Sequence, residues 1–165
     1  MRGETAFCSA AKTFPLIALL DGSLMHLTVA GTADAVRQAM QDLAASPLFA
    51  QLDEGSRCNA EIVLAEVMNN IVEHAFAAQP GEIDLVLQHR HGRLQCLVSD
   101  TGSAMPDVTL PKGSFQPLGP IEDLPEGGFG WFLIRSLTEG LEYQRIAGVN
   151  RLSFALIQEQ SPDCA

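Results

Sequence analysis

The chain has 165 residues, of which 47% are hydrophobic and 18% are charged, a balance typical of one folded domain rather than of a disordered chain. Its formal net charge of −10 argues against direct binding of DNA or RNA, because phosphate contacts need clustered lysine and arginine. No apolar run is long enough to span a bilayer, and the four cysteines are too scattered for a zinc site or a disulfide framework, so a cytoplasmic protein is expected.

The first part of the chain predicts a hairpin and then a helix. Two apolar runs, at residues 14–20 and 24–30, flank Asp21-Gly22-Ser23, which is typical of a hairpin turn that contains glycine. Thr32 or Asp34 can then cap a helix that continues to a Ser-Pro pair.

A longer helix is predicted over residues 56–78. Its apolar residues recur at three- and four-residue steps, as one buried stripe requires. The members of this stripe are Ile62, Ala65, Met68, Val72, Ala75 and Phe76. On the opposite face, Glu66, Asn70 and His74 follow one another at four-residue spacing and therefore lie along one side of the helix.

The second half predicts four strands, one long loop and one helix. The strand pairs occupy residues 82–89 with 94–99 and residues 141–147 with 151–158, and the helix occupies residues 129–139. Residues 101–128 are rich in proline and glycine, and a loop of this length inside a domain is usually functional.

The order of these elements predicts an α+β fold. We expect a two-layer sandwich with a mostly antiparallel, mixed sheet and helices on one face. Residues 14–158 would form a single domain, between an N-terminal segment at 1–13 and a tail at 159–165.

The polar face of the second helix carries the first candidate chemistry. Asn70 offers a neutral oxygen that can complete a magnesium shell made mostly of water and phosphate oxygens. Glu66, one turn earlier, can orient or deprotonate an incoming hydroxyl as a general base. On spacing alone, solvent-facing residues of an amphipathic helix are the simpler explanation.

The second candidate is Asp100, which follows an apolar strand and precedes Thr101-Gly102. A carboxylate at a strand end can accept a hydrogen bond from an exocyclic amine such as that of adenine, and Gly102 would let a flat base approach the backbone. A plain turn after a strand explains the same residues.

The third candidate is the glycine-rich start of the last helix, around Gly128 and Gly130. Glycines before a helix expose backbone N–H groups at its positive end, where phosphates bind. The segment fits neither the Rossmann nor the Walker pattern, and a flexible hinge leading into a core helix is the alternative. Phe129, between the two glycines, is placed to reach a nucleotide.

Taken in order, the three segments resemble the N, G1 and G2 boxes of the GHKL ATPase superfamily, with the strongest likeness to its branch of anti-sigma regulatory factors and serine-protein kinases. The N box of that branch resembles Glu-x-x-x-Asn-x-x-x-His followed by Ala or Gly and an aromatic residue. The matching residues here are Glu66, Asn70, His74, Ala75 and Phe76. The segments at 134–143 and 148–152 also resemble this branch, and the likeness covers roughly residues 30–157.

The resemblance implies a role for each matching residue. Asn70 would bind magnesium, Glu66 would activate a serine hydroxyl on a partner protein, and residues 105–127 would form a lid over ATP. The implied nucleotide-binding residues are Asn70, Asp100, Gly102, Ala104, Gly128, Phe129 and Gly130. Ala104 stands where the G1 pattern often has a second glycine, and Asn150 stands where the superfamily often has threonine, which puts a contact from Asn150 in doubt.

The function implied by the resemblance is that of an ATP–magnesium-binding anti-sigma factor and serine/threonine protein kinase. Its partners would be a sigma factor and a small antagonist protein that it phosphorylates, and it would form a homodimer. Three alternatives stay open: a nucleotide-binding regulatory module without kinase activity, the catalytic half of a sensor histidine kinase, and an adaptor that binds no nucleotide.

Three further residues near these segments have simpler explanations. Trp131 is expected in the helix core rather than as a platform for a base. Lys112 is expected to be solvated, although it lies in the implied lid, and Arg135 is a candidate for a partner interface.

Overall fold

The computed structural model describes residues 24–113 and 129–156. In these ranges five strands form one sheet in the order β1-β2-β3-β5-β4, accompanied by three α-helices. The elements are β1 (Leu24–Ala30), α1 (Ala33–Ala44), α2 (Glu54–Asn70), β2 (Glu82–Arg90), β3 (Arg93–Asp100), α3 (Phe129–Leu137), β4 (Thr138–Ile146) and β5 (Val149–Leu156). The predicted α+β class is confirmed. None of the helices in the described ranges is both long and apolar enough to cross a membrane.

One face of the sheet carries the core, because alternate residues of the central strands are buried. These residues are Ile83, Leu85, Leu87, Leu94, Cys96, Val98, Leu152, Phe154 and Leu156. They form one cluster with buried side chains of the helices, among them Leu43 of α1 and Leu64 of α2. The helices therefore cover this face, as the two-layer prediction requires.

Of the hairpin predicted at the start of the chain, the described residues include the second strand, β1. β1 pairs antiparallel with β2, whereas the predicted strand at 14–20 lies outside the described residues. Thr32 caps α1 as predicted, since its hydroxyl accepts a hydrogen bond from the Ala35 N–H at 3.2 Å.

α2 differs from its prediction in its limits and in its buried stripe. The helix begins at Glu54, two residues before the predicted start, with Asp53 as its cap. Regular α-helix ends at Asn70, after which a π-helical turn (Ile71–Ala75) follows. The buried residues are Ser56, Ala60, Val63, Leu64, Val67 and Met68. Of the predicted stripe, Met68 and Phe76 are buried and Val72 and Ala75 pack against the core, whereas Ile62 is 36% exposed, so the prediction was wrong at its first residue. Apolar residues occupy so much of this segment that helical periodicity fits more than one phase.

The order of the strands assembles one polar row at the end of the sheet. All strand pairs in the described ranges are antiparallel, so no parallel pair of the predicted mixed sheet occurs there. Asp100 of β3 lies opposite Asn150 of β5, and Asn150 lies opposite Arg145 of β4. The topology thereby brings Asp100 together with two polar residues of the β4–β5 hairpin that are distant from it in the sequence.

Candidate functional site

A cavity of about 460 Å³ opens between the end of α2, the end of β3, the start of α3 and the β4–β5 hairpin. Its volume lies in the range of pockets that take small molecules. Its lining residues are Asn70, Ile71, His74, Ala75, Val98, Asp100, Ser103, Ala104, Met105, Pro106, Pro111, Trp131, Tyr143, Asn150 and Leu152. Three of the predicted nucleotide-binding residues (Asn70, Asp100 and Ala104) thus share one cavity.

Asp100 places a carboxylate at the wall of this cavity. The residue is only 5% exposed, because the apolar end of β3 carries it inward. Its Oδ1 accepts two hydrogen bonds at 2.8 Å, from the Gly102 N–H and from Nδ2 of Asn150. Within the described part of the chain, Oδ2 accepts no hydrogen bond, so one oxygen of the carboxylate is committed and the other is open to a donor.

Asn150 is the direct partner of this carboxylate, and it is also only 5% exposed. Its Nδ2 donates to Asp100 and, at 2.9 Å, to the Ser103 carbonyl. Its Oδ1 accepts from the Tyr143 hydroxyl at 2.7 Å and from the Arg145 guanidinium. Asn150, which stands where the superfamily often has threonine, therefore uses both ends of its amide in hydrogen bonds within the protein.

Gly102 has no room for a side chain, because the π-helical turn after α2 packs against it. A Cβ at this position would lie 2.5 Å from the Ala75 carbonyl oxygen. The same carbonyl accepts a hydrogen bond from the Ser103 N–H at 2.9 Å, so the chain after β3 is joined to the π-helical turn. Packing against Ala75 therefore requires glycine here, independently of the predicted approach of a flat base.

Glu66 and Gly130 meet where α2 packs against α3. A Cβ at Gly130 would lie 2.4 Å from Oε2 of Glu66 and 3.7 Å from Nδ2 of Asn70. Glu66 does not line the cavity, whereas Asn70 does. Glu66, the catalytic candidate, therefore lies beside the start of α3. It is next to Asn70, which lines the cavity, but does not line the cavity itself.

Asn70 has a polar atom without a partner. Its Nδ2 is buried and forms no hydrogen bond within the described part of the chain. A buried amide N–H of this kind costs free energy unless an acceptor reaches it.

The segment before residue 114 packs against the start of α3. A Cβ at Gly113, whose φ is +59°, would lie 2.7 Å from the Trp131 carbonyl oxygen, and Nε of Arg135 donates to the Pro111 carbonyl at 2.8 Å. Trp131 packs against the core, as predicted, and it also lines the cavity, which the prediction did not include. Lys112 is exposed, as predicted, and Arg135 contacts the chain itself.

The remaining predicted residues divide between the described and undescribed parts of the chain. Phe129 is the first residue of α3, whereas Gly128 and residues 114–127 of the implied lid lie outside the described residues. The sequence interpretation gave no role in the site to Tyr143, which lines the cavity, whereas Met105, another lining residue, is the first residue of the implied lid. The sequence did contain a signal for the role of Asn150, because this polar residue occupies an inward position of a strand whose other inward residues are all apolar.

Comparison with known proteins agrees with this geometry. Residues 29–156 match the family described as the histidine kinase-like ATPase domain. Among curated relatives, the serine-protein kinase RsbW of Bacillus mycoides (strain KBAB4) is 29% identical over 140 residues, which is 84% of this chain and 79% of the relative. The proteins of the same name from Bacillus thuringiensis (strain Al Hakam) and Bacillus cereus (strain 03BB102) are 28% identical with the same coverage.

A solved structure supports the fold. The RsbU and RsbW domains of a Mycobacterium tuberculosis protein resemble this chain with a TM-score of 0.53 and 16% identity. The match covers 81% of this chain, which spans about a third (32%) of that protein. The resemblance to the GHKL ATPase superfamily is confirmed, and the chain belongs to the histidine kinase-like ATPase family.

Proposed function

We propose that the chain binds ATP with magnesium and transfers the terminal phosphoryl group to a serine or threonine of a partner protein. The observation that carries the proposal is the arrangement of the cavity. The wall of the cavity contains Asn70 and the carboxylate of Asp100, one oxygen of which already accepts two hydrogen bonds. Glu66 lies beside Asn70, near the start of α3 and outside the wall of the cavity.

Each residue would contribute a distinct part of the reaction. The open oxygen of Asp100 would accept a hydrogen bond from the exocyclic amine of adenine. The start of α3, with Gly130 and Phe129, would direct backbone N–H groups at the phosphates, as a helix N-terminus does. Phosphoryl transfer depends mainly on positioning and charge neutralisation, so a site of this simplicity is sufficient.

The residues present fit a magnesium–nucleotide complex. Within the described ranges, no three histidine, cysteine, aspartate or glutamate residues cluster as a metal site. A magnesium ion held mainly by phosphate and water oxygens needs only one or two protein ligands, and Asn70 would be that ligand. When bound, magnesium would neutralise the phosphate charge.

Glu66 would act as the base toward the incoming hydroxyl. We expect Glu66→Gln to keep ATP binding, measured by calorimetry, and to lower transfer of γ-phosphate radiolabel to a co-purifying antagonist protein by about 100-fold or more, in the range assigned to general-base catalysis. Glu61→Gln on the same helix is the matched control and should leave transfer unchanged. Equal transfer by the Glu66→Gln and wild-type proteins would remove Glu66 from this role.

One observation favours a second candidate function, a regulatory module that binds nucleotide without kinase activity. Glu66 stands outside the lining of the cavity. In this case ATP would control partner binding, and no radiolabel would reach any partner, although calorimetry would still detect ATP.

The partners proposed from the family resemblance are a sigma factor and a small antagonist protein, with the chain acting as a homodimer. Light scattering on the purified chain tests the dimer. Pull-down with ATP, with ADP and without nucleotide tests the partners, and a nucleotide-dependent change in the captured proteins is the expected result.

A further inference from the structure

We propose that Tyr143, Arg145 and Asn150, here named the hairpin triad, are positioning residues that join ligand recognition by Asp100 to the backbone at residues 102–105. The inference rests on the proposed function in one respect: the ligand is taken to be an adenine nucleotide. Its basis is a set of hydrogen bonds that connects the β4–β5 hairpin to the carboxylate of Asp100 and to the backbone of residues 102–105.

The first step concerns the carboxylate. Because Oδ1 of Asp100 already accepts from Gly102 and Asn150, the rotation of the carboxylate is fixed and only Oδ2 remains for a ligand. Oδ2 in that position accepts from an amine and repels a carbonyl oxygen. Asn150 thereby contributes to fixing which carboxylate oxygen faces a ligand.

The second step concerns the orientation of Asn150. The oxygen of its amide faces two donors, Tyr143 and Arg145, and its nitrogen faces acceptors on Asp100 and Ser103. A flipped amide would direct its N–H groups at the guanidinium, which cannot accept a hydrogen bond. Tyr143 and Arg145 therefore hold Asn150 in the one orientation that supports Asp100.

The third step concerns the segment that follows β3. Arg145 donates to the Gly102 carbonyl at 3.0 Å, and the Tyr143 hydroxyl accepts from the Met105 N–H at 3.1 Å. With the bond from Asn150 to the Ser103 carbonyl, three backbone groups of residues 102–105 are held by the hairpin triad. Ser103 and Met105 line the cavity, so the same three side chains shape its wall and orient its carboxylate.

The consequence is that recognition of the base and the shape of this wall change together. Loss of the bond from Asn150 leaves Oδ1 of Asp100 held by the Gly102 N–H alone and releases the Ser103 carbonyl at the same time. A hydrogen bond to a charged group is worth a factor of about 10 or more in affinity. The loss should fall on ligands that carry the amine and spare those that lack it.

The test compares ATP with purine riboside 5′-triphosphate, which lacks the exocyclic amine. Trp131 is the single tryptophan and lines the cavity, so its fluorescence can follow both titrations. We expect the wild-type protein to prefer ATP, and Asn150→Ala to weaken ATP binding about 10-fold while changing analogue binding much less. Tyr143→Phe, which retains the ring, should reduce the preference in the same direction.

The preference ratio separates positioning from general damage, since partial unfolding weakens both ligands equally. Gln144→Ala, an exposed neighbour on β4, is the matched control and should leave the ratio unchanged. An unchanged ratio in both Asn150→Ala and Tyr143→Phe would overturn the inference while leaving ATP binding intact. A wild-type protein that binds neither nucleotide would instead overturn the proposed function, and this inference with it.

Discussion

Gly102 and Gly130 lie at opposite sides of the candidate site, and a side chain at either would collide with a different kind of neighbour. At Gly102 the neighbour is the backbone carbonyl of Ala75, whereas at Gly130 it is the far end of the Glu66 side chain. A backbone carbonyl within a hydrogen-bonded turn cannot move cheaply, but a carboxylate on a flexible stem can. The two glycines therefore have different physical roles.

Gly102→Ala should destabilise the fold. The added methyl group must displace the π-helical turn and break the bond between Ser103 and Ala75, at a cost of about 1–3 kcal/mol. Urea denaturation would measure the change in the free energy of unfolding. Ser103→Ala, whose side chain is exposed, is the control and should be near neutral. Equal stability of Gly102→Ala and wild type would contradict the packing argument.

Gly130→Ala should instead leave stability nearly unchanged and alter the site. Alanine favours a helix by about 1 kcal/mol over glycine, which offsets the cost of moving the Glu66 carboxylate. If Glu66 is the base, phosphoryl transfer should fall toward that of Glu66→Gln, with a smaller effect on ATP affinity. A large loss of stability without a change in transfer would refute this assignment.

At the scale of the element, α2 depends on its first turn. Asp53 accepts from the Ser56 N–H at 2.8 Å and from the Ser56 hydroxyl at 2.6 Å. These hydrogen bonds, with that of the Ser56 side chain first, lower the pKa of Asp53 below its ordinary value of 3.8. A lowered pKa in the folded state means that the charged cap stabilises the fold above pH 3.8 and that this contribution is lost as the pH falls through the lowered pKa.

Asp53→Asn tests this dependence, since asparagine can still cap the helix but does not titrate. We expect wild type to be the more stable protein at neutral pH, and the difference to shrink as the pH falls below about 4. Urea denaturation at a series of pH values from 7 to 3 would measure it. A difference that stays constant over this range would show that the charge of Asp53 does not contribute.

The regular elements could be predicted from the sequence because local signals determine them. Thr32 marked the start of α1, and alternation of polar and apolar residues marked β2. The π-helical turn after Asn70 carries no local signal that periodicity can detect, so the helix was predicted to run past it. The buried phase of α2 depends on the packing of α1 and α3 against it, which is tertiary information.

The candidate site could be predicted only where its residues form a linear pattern. Asn70, Asp100 and Ala104 belong to such patterns, and the structure brings them to one cavity. Tyr143 and Asn150 lie in segments that also resemble the branch, but their connection to Asp100 could not be predicted, because Asn150 meets Asp100 through strand pairing across 50 residues of sequence. Trp131 was assigned to the core since an aromatic residue in a helix most often is, yet it lies where the core meets the cavity.

At the scale of the whole molecule, the sheet order determines where the site can be. β3 is central, so Asp100 at its end has β2 on one side and β5 on the other. The π-helical turn of the α2 segment and the start of α3 approach the same end. Ligand binding in this cavity therefore engages segments from most of the described chain, and it should stabilise the fold as a unit.

The rates at which Cys58 and Cys96 react with an alkylating reagent can measure how often the folded domain opens as a unit. Cys58 is exposed on α2, whereas Cys96 is buried in the central strand β3, where burial raises the pKa of its thiol. Because the thiolate is the reactive form, Cys96 should resist alkylation at pH 8 until the sheet opens. Peptide mapping after timed alkylation should show rapid labelling of Cys58 and labelling of Cys96 at the rate of global opening.

ATP–magnesium should slow the labelling of Cys96 and spare that of Cys58. A ligand that binds only the folded state at 100 times its Kd adds about 2.7 kcal/mol to the free energy of unfolding, which reduces the open population about 100-fold. The labelling rate should fall by the same factor where reclosing is faster than alkylation. Asn150→Ala, measured at the same ATP concentration, should show about 10-fold less protection, because its affinity for ATP is lower. Equal labelling of Cys96 with and without ATP would mean that the cavity does not bind this nucleotide, since binding to the folded state must suppress global opening.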